Sequence, residues 1–359
     1  MMTKRTHRIA ALLLAAALGL TACGSGGKEE QPTQPAVTEP STTDTQTETN
    51  PTSEPPAPVS TLTAPLTGLP ADQELKQRPI AVSVNNFKAA RPQSGLTQAD
   101  IVWEVLAEGG ITRLIAVFQS SSFTDPIGPI RSIRPYLIDI GESYKSVIVH
   151  AGASTDAYDL LQHHGKDYLD EITNAGPYYW RDKTRKAPHN LYSDLTKMRA
   201  GAEKKKYATE VTIPMLPFAA EGAGTYDGPA TSIDIHFMLD DYKVSYAYDA
   251  AKGLYMRSIN GESHIDKNNN EQLSAANVIV LGADHKTLDD YGRLSVNLTS
   301  GGKAVLFQNG QAVACEWTRQ GTDVIRIMKD GKELPLLPGH TYYHIVPNNP
   351  SFEKHLAYG

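Results

Sequence analysis

The residues best equipped for chemistry lie in Gly128-Pro129-Ile130-Arg131-Ser132-Ile133-Arg134-Pro135. Ile133, Tyr136, Leu137 and Ile140 recur at helical offsets, so they predict a helix with one buried stripe, and Pro135 is tolerated within its first turn. Ser132 is the natural N-cap of that helix. Free backbone N–H groups and the positive end of the helix dipole would then sit beside the guanidinium groups of Arg131 and Arg134, an arrangement suited to phosphate or carboxylate. Two arginines at a helix start run against the dipole, so they should have an anionic partner. The motif therefore predicts an anion-binding pocket at Arg131, Ser132 and Arg134, with Arg113, Asn85, Arg91 and His150 as weaker candidates for the same pocket. The competing reading is scaffold, in which Asp100, Glu104 or Glu108 supplies the anion internally.

Other constellations carry less. Asn85-Asn86 follows an apolar strand at the place where open sheets put ligand loops, although asparagines there equally close turns. Glu104 and Glu108 offer two carboxylates for glycoside hydrolysis, but spacing along the chain does not set their separation. His150, His163, His164 and His189 fit no familiar zinc spacing, and His163-His164 point to different sides of one helix, so no metal site is expected. Ser154 reads as a helix N-cap, since Gly152-Ala153-Ser154-Thr155-Asp156 lacks the second glycine of a nucleophile elbow. Tyr178-Tyr179-Trp180-Arg181 is either a sugar-stacking platform or core. Lys204-Lys205-Lys206 reads as the solvated end of a helix. No catalytic residue is assigned and no cofactor is expected.

These residues must be held by elements that the apolar pattern foretells. Ile80 to Val84, Ile101 to Val105, Thr112 to Phe118 and Ser146 to Val149 read as strands. Helices are predicted from Ile133 to Glu142, from Thr155 to His164 with Gly165 as its stop, and from Ser193 to Lys206. Leu106-Ala107-Glu108-Gly109-Gly110 is short enough to make its flanking strands antiparallel, so the sheet should be mixed. Further on, strands are predicted at Ser232 to Phe237, Lys243 to Tyr248, Asn277 to Leu281, Lys303 to Gln308, Ala312 to Trp317 and Thr341 to Val346, with hairpin turns at Asn309-Gly310 and Asp330-Gly331. The fold class is α+β: an N-terminal α/β domain with a mixed sheet at 61–219, then a β-rich domain at 220–359. The stretch Ala219-Ala220-Glu221-Gly222-Ala223-Gly224 reads as the joint between two separate cores. Two-residue alternation puts Val313, Cys315 and Trp317 on one face, so Cys315 reads as a packed core thiol.

The N-terminus sets where this body works. Lys4, Arg5 and Arg8 precede an apolar run from Ile9 to Leu20 that is too short to span a bilayer as a mature helix, which reads as a signal peptide over 1–22. Leu20-Thr21-Ala22-Cys23-Gly24 resembles the bacterial lipobox, in which the cysteine is lipidated before cleavage in front of it. From Ser25 to Ser60 the chain has no aromatic residue, Leu or Ile, so it is read as a tether, with 23–60 comprising the lipidated cysteine and this tether. With Cys23 lipidated, only Cys315 remains, and no intrachain disulfide is possible. The whole chain carries −6, and after the basic signal and the acidic tether are set aside the folded part carries about −4. That balance argues against nucleic acid as a partner while leaving room for a local basic pocket.

A longer pattern then emerges. Arg78-Pro79-Ile80-Ala81-Val82 with Asn85-Asn86, Ala90-Arg91-Pro92-Gln93-Ser94-Gly95-Leu96, Ala99-Asp100-Ile101-Val102, Glu108-Gly109-Gly110-Ile111-Thr112-Arg113 and Gly128 to Pro135 resemble the YerB-like lipoproteins, built on domain of unknown function 3048. The likeness continues through His150-Ala151-Gly152-Ala153-Ser154 and Ala187-Pro188-His189-Asn190-Leu191-Tyr192, and into a C-terminal companion domain at Asn277-Val278-Ile279-Val280 and Gly301 to Trp317, spanning about 65–357. The resemblance implies an envelope lipoprotein of two domains and carries over no catalytic residue. The expected function is a membrane-anchored, extracytoplasmic module that binds a ligand or partner, with the lipid on Cys23 as its membrane contact and a wall polymer or another envelope protein as its partner. The alternative is an enzyme acting on a cell-wall glycan or a phosphorylated envelope polymer.

Overall fold

Runs of β-branched and aliphatic residues make the strands β1 (Ile80–Asn85), β2 (Ile101–Leu106) and β3 (Thr112–Phe118), and every residue in them is buried. Continuous apolar runs of this kind belong to a sheet covered on both faces. The computed structural model describes residues 62–359; the signal peptide, Cys23 and the tether expected for 1–60 lie outside the described residues. After β3 come α1 (Pro135–Ser143), β4 (Val147–His150), α2 (Thr155–His163), β5 (Tyr168–Asp170) and α3 (Leu195–Lys204). The remainder is β-rich: β6 (Ser232–His236), β7 (Lys243–Asp249), β8 (Leu254–Ile259), β9 (Asn277–Ala283), β10 (Gly302–Gln308), β11 (Gln311–Thr318), β12 (Arg326–Lys329), β13 (Lys332–Glu333), β14 (Thr341–Pro347) and β15 (Leu356–Tyr358). Among the described residues no helix is long and apolar enough to cross a membrane.

The main sheet runs β13-β12-β11-β10-β9-β14-β2-β3-β1-β4-β5. It is mixed: β1 pairs parallel with β4 and antiparallel with β3, and β2 pairs antiparallel with β3. The short Leu106–Gly110 connection is antiparallel as expected, with Gly109 and Gly110 at φ of 68° and 75°. Asn309-Gly310 and Asp330-Gly331 both hold positive φ at each residue, the geometry of a tight hairpin turn, and join β10 to β11 and β12 to β13.

The two halves of the chain do not build separate cores. β2 pairs in parallel with β14 over Ile101↔Thr341 to Val105↔Ile345, which fuses their strands into one sheet. One core gathers Val82, Leu114 and Met198 with Ile233, Val244 and Tyr246, covering the face under α3 and the small sheet formed by β6, β7, β8 and β15. The other gathers Trp103, Leu137 and Leu161 with Leu281, Trp317 and Ile345, under α1 and α2. The described residues 62–359 accordingly form one compact unit, and the change of composition near residue 220 marks a crossing of the chain over a shared sheet. Composition reports where a linker lies; it is blind to strand pairing across that linker.

Two local expectations are corrected. Helix α1 starts at Pro135, with Arg134 in the N-cap position and no side-chain cap, so Ser132 caps nothing. Ile133, Tyr136, Leu137 and Ile140 are nevertheless the buried stripe. Cys315 packs against the core that holds Val313 and Trp317, as expected, but is half-buried beside a groove lined by Val305, Met328 and Tyr358 instead of being enclosed, and burial pushes its thiol up to about 12. Ser154 does cap α2, accepting from Ala157 N at 3.4 Å, and Gly165 follows that helix at φ 63°.

Candidate anion-binding site

β1, β2, β4, β5 and β14 run in one direction, so their carboxyl ends share one edge, where crossing loops can bring side chains together. The segment after Gly128 lies along the end of β1: Val84 bridges Ile130, and Arg131 N donates to Ser83 O at 2.8 Å. On its other side Ala151 N donates to Arg131 O at 3.1 Å and Ile133 N to Gly152 O at 2.9 Å. Arg131 is thereby pinned between the ends of β1 and β4. Arg113, the second residue of β3, lies opposite Asn85, and Glu108 stands in the turn after β2.

Two guanidinium groups, those of Arg134 and Arg113, converge on the Glu108 carboxylate. Arg134 Nε donates to Glu108 Oε2 at 3.0 Å while its Nη2 donates to Oε1, a bidentate pair. Arg113 Nη2 lies 3.7 Å from the same Oε1, and its Nη1 donates to the Ser132 carbonyl and, at 3.1 Å, to Ser132 Oγ. Burial alone would raise the Glu108 carboxyl, yet the charges of Arg113 and Arg134 outweigh it and hold the group below its ordinary value. Arg113 is pushed down to about 10, first by burial and then by Arg134 and Arg131, with Glu108 opposing. Arg131, half-buried, makes no hydrogen bond or ion pair with its guanidinium among the described residues; burial and Arg134 lower its pKa while Glu108 opposes them.

His189 belongs to this edge as well. Asn85 Oδ1 accepts from Phe87 N at 3.0 Å, which orients the amide so that Nδ2 donates to His189 Nδ1 at 2.9 Å. The ring proton therefore sits on Nε2, leaving a donor free. The ring stacks on Phe87 with centroids 5.3 Å apart, and burial together with Arg131 and Arg185 lowers its pKa. In the sequence His189 stood out as a stray histidine; its place beside Arg131 depends on a loop that folds back over β1.

The other expected members fall elsewhere. His150 is enclosed under Tyr168, its Nδ1 3.0 Å from Gly152 O and 3.5 Å from Asp170 Oδ1, and burial keeps it neutral. Arg91 lies over the Tyr242 ring at 5.4 Å and faces a separate cavity. Asn86 is drawn into a buried cluster with Glu104, Thr112 and Tyr242. Of the acids named in advance, Glu108 is the partner of Arg134. Glu104 pairs instead with Arg257, and the Asp100 carboxylate accepts from Gln119 N and Ser120 N. Tyr179 is committed to Leu169 O at 2.7 Å, whereas Trp180 is half-exposed, so the aromatic run divides between core and surface. Lys204 closes α3, as its run suggested. Among the described residues no group of acids, histidines and cysteines is arranged to hold a metal.

Fold and site together define an α+β protein with a mixed central sheet and an arginine-rich carboxyl edge. Residues 66–208 match the family described as Protein of unknown function (DUF3048) N-terminal domain, and residues 233–343 match its C-terminal domain. The chain belongs to this family. It is 37% identical over 289 residues to the Bacillus subtilis (strain 168) protein named "Putative lipoprotein YerB", covering 80% of this chain and 87% of that one. The crystal structure of the YerB protein from Bacillus subtilis matches with a TM-score of 0.76 at 35% identity, over 83% of this chain and 99% of that one.

Proposed function

We propose that this chain is a lipoprotein anchored through Cys23 on the extracytoplasmic face of the membrane, and that its body binds an anionic ligand at the carboxyl edge of the main sheet. The lipobox-like Leu20 to Gly24 and the name of the Bacillus relative support the anchor. One observation carries the binding reading: Glu108 is shared by Arg134 and Arg113, which leaves the Arg131 guanidinium without a partner in a cluster that sets three positive charges against one negative. Desolvated like charges repel, and an incoming phosphate or carboxylate relieves that repulsion. Arg131 and the Nε2–H of His189 are its donors; Arg113, Arg134 and Ser132 form the rigid wall behind them.

Titration calorimetry of the full chain with inorganic phosphate and with citrate tests this. Binding of either that disappears in Arg131→Ala, with the melting temperature held, is the expected result. Absence of binding to both, or equal binding by the variant, overturns the reading.

A further inference from the structure

The unpartnered charge at Arg131 continues beyond the arginine cluster. The loop 182–189 carries Lys183, Arg185 and Lys186, and the loop after β1 carries Lys88 and Arg91; none of these five forms an ion pair with the described residues. The two loops are held together although both are basic. Arg185 Nη1 donates to Ala90 O and its Nη2 to Pro92 O, each at 2.7 Å, so this guanidinium spends its hydrogen bonds on carbonyls and keeps its charge. At the near end the stacked Phe87 and His189 join the strip to Arg131. At the far end Arg91, with its Nε buried and unpartnered, lines a cavity of about 510 Å³ beside Lys88. Asp182 is turned away into bonds with Thr184 and Lys267, and Glu262 is the one acid among the residues lining that cavity.

We propose that this strip binds a linear polyanion, a flexible chain of repeating phosphate groups, with one phosphate seated at Arg131 and its neighbours tracked along Arg185, Lys183, Lys186, Lys88 and Arg91. This rests on the anion-binding reading of the Arg131 pocket and extends it from a single charge to a polymer. Two like-charged loops clamped side by side on a chain of net charge −6 form a local positive field that a single small anion cannot satisfy, because the charges lie on both sides of the clamp. A polymer satisfies them in turn and releases a counterion for each phosphate neutralised.

The test uses the full chain in detergent, with inorganic phosphate and long-chain inorganic polyphosphate as probes, and compares it with the triple variant Lys88→Ala, Lys183→Ala, Lys186→Ala. All three side chains are exposed and unpaired, so the fold is untouched. About four phosphate contacts give a slope of log affinity against log salt of roughly −3, against roughly −1 for inorganic phosphate. The triple variant should lose tenfold or more in polyphosphate affinity and keep its phosphate affinity. Equal salt slopes for the two probes, or an unchanged triple variant, overturn the polymer proposal and leave the pocket standing. If neither probe binds, both readings fail. Tighter binding of an oligothymidylate of matched charge, or of phosphatidylglycerol vesicles, would assign the strip to nucleic acid or to the membrane surface and overturn the choice of partner.

Discussion

Glu104 in β2 and Arg257 in β8, 153 residues apart in the chain, meet at 2.8 Å with both side chains fully buried. Around them Asn86 Nδ2 and the Tyr242 hydroxyl donate to Glu104, His344 Nδ1 stands 3.1 Å away, and Arg257 donates to His264 and Tyr246 at 2.9 Å each. Burial on its own would raise the Glu104 carboxyl, but the Arg257 and His344 contacts overcome it and hold the group far below its ordinary value. The pair thus fastens the small sheet to the main one at a charged point inside the core.

Removing one partner leaves the other as a bare buried charge. Glu104→Met or Arg257→Met alone should cost about 3–5 kcal/mol in denaturant unfolding, whereas the double variant should cost clearly less than the sum of the two. Additive losses would show that the two groups are not coupled.

Buried neutral histidines make the fold acid-sensitive. Burial, Arg257 and Arg91 hold His264 well below its ordinary 6.5, and burial also lowers His344 and His150. Below pH 6.5 the unfolded chain takes up protons that the folded chain refuses, so stability is full above that value and falls as pH drops beneath it. Each such group steepens the fall by up to about 1.4 kcal/mol per pH unit. Melting temperatures recorded from pH 8 down to 5 should decline below 6.5, and His264→Gln should lower stability at pH 8 while flattening the decline. A level profile in the parent chain contradicts the assignment.

Periodicity and turn chemistry were enough to locate Thr112–Phe118, Ser154 as a cap and the Asn309-Gly310 hairpin, because each depends on residues adjacent in the chain. The Arg134 and Glu108 pair was foreseeable in kind, since arginines at a helix start need an anion. The pairing of β2 with β14 and of Glu104 with Arg257 was not legible, because nothing local in Ile101–Leu106 says which distant strand completes it. Ser132 was misread as a cap because Arg134 and Pro135 start the helix two residues later.

Arg131 and Arg134 share a motif but not a role. Arg134, 8% exposed and bidentate to Glu108, should cost about 1–3 kcal/mol of stability when replaced by alanine. Arg131→Ala should stay within about 0.5 kcal/mol of the parent. Equal destabilisation in chemical unfolding would make Arg131 scaffold as well.

Cys23 lies outside the described residues, and its replacement tests the anchor alone. Cys23→Ala should abolish incorporation of radiolabelled palmitate and release the protein from the membrane fraction, while the body retains the parent's melting temperature. Failure of the parent chain to take up label in a lipoprotein-competent host would remove the lipobox reading.

Limited proteolysis should trim residues before 62 and then cut between Ala219 and Gly228, where Gly224 and Thr225 are exposed and a side chain at Gly224 would meet open space. Were the two halves separate domains, that cut would free them. They instead share the β2 and β14 ladder and the Glu104–Arg257 pair, and Asp266 accepts from Gly95 N at 3.0 Å and Thr97 N at 2.9 Å across the division. The nicked protein should therefore elute as one species in native buffer and separate into two fragments only in denaturant. Two native peaks after the cut, or early cleavage within Ile101 to Phe118, would mean that the shared sheet does not hold the halves together.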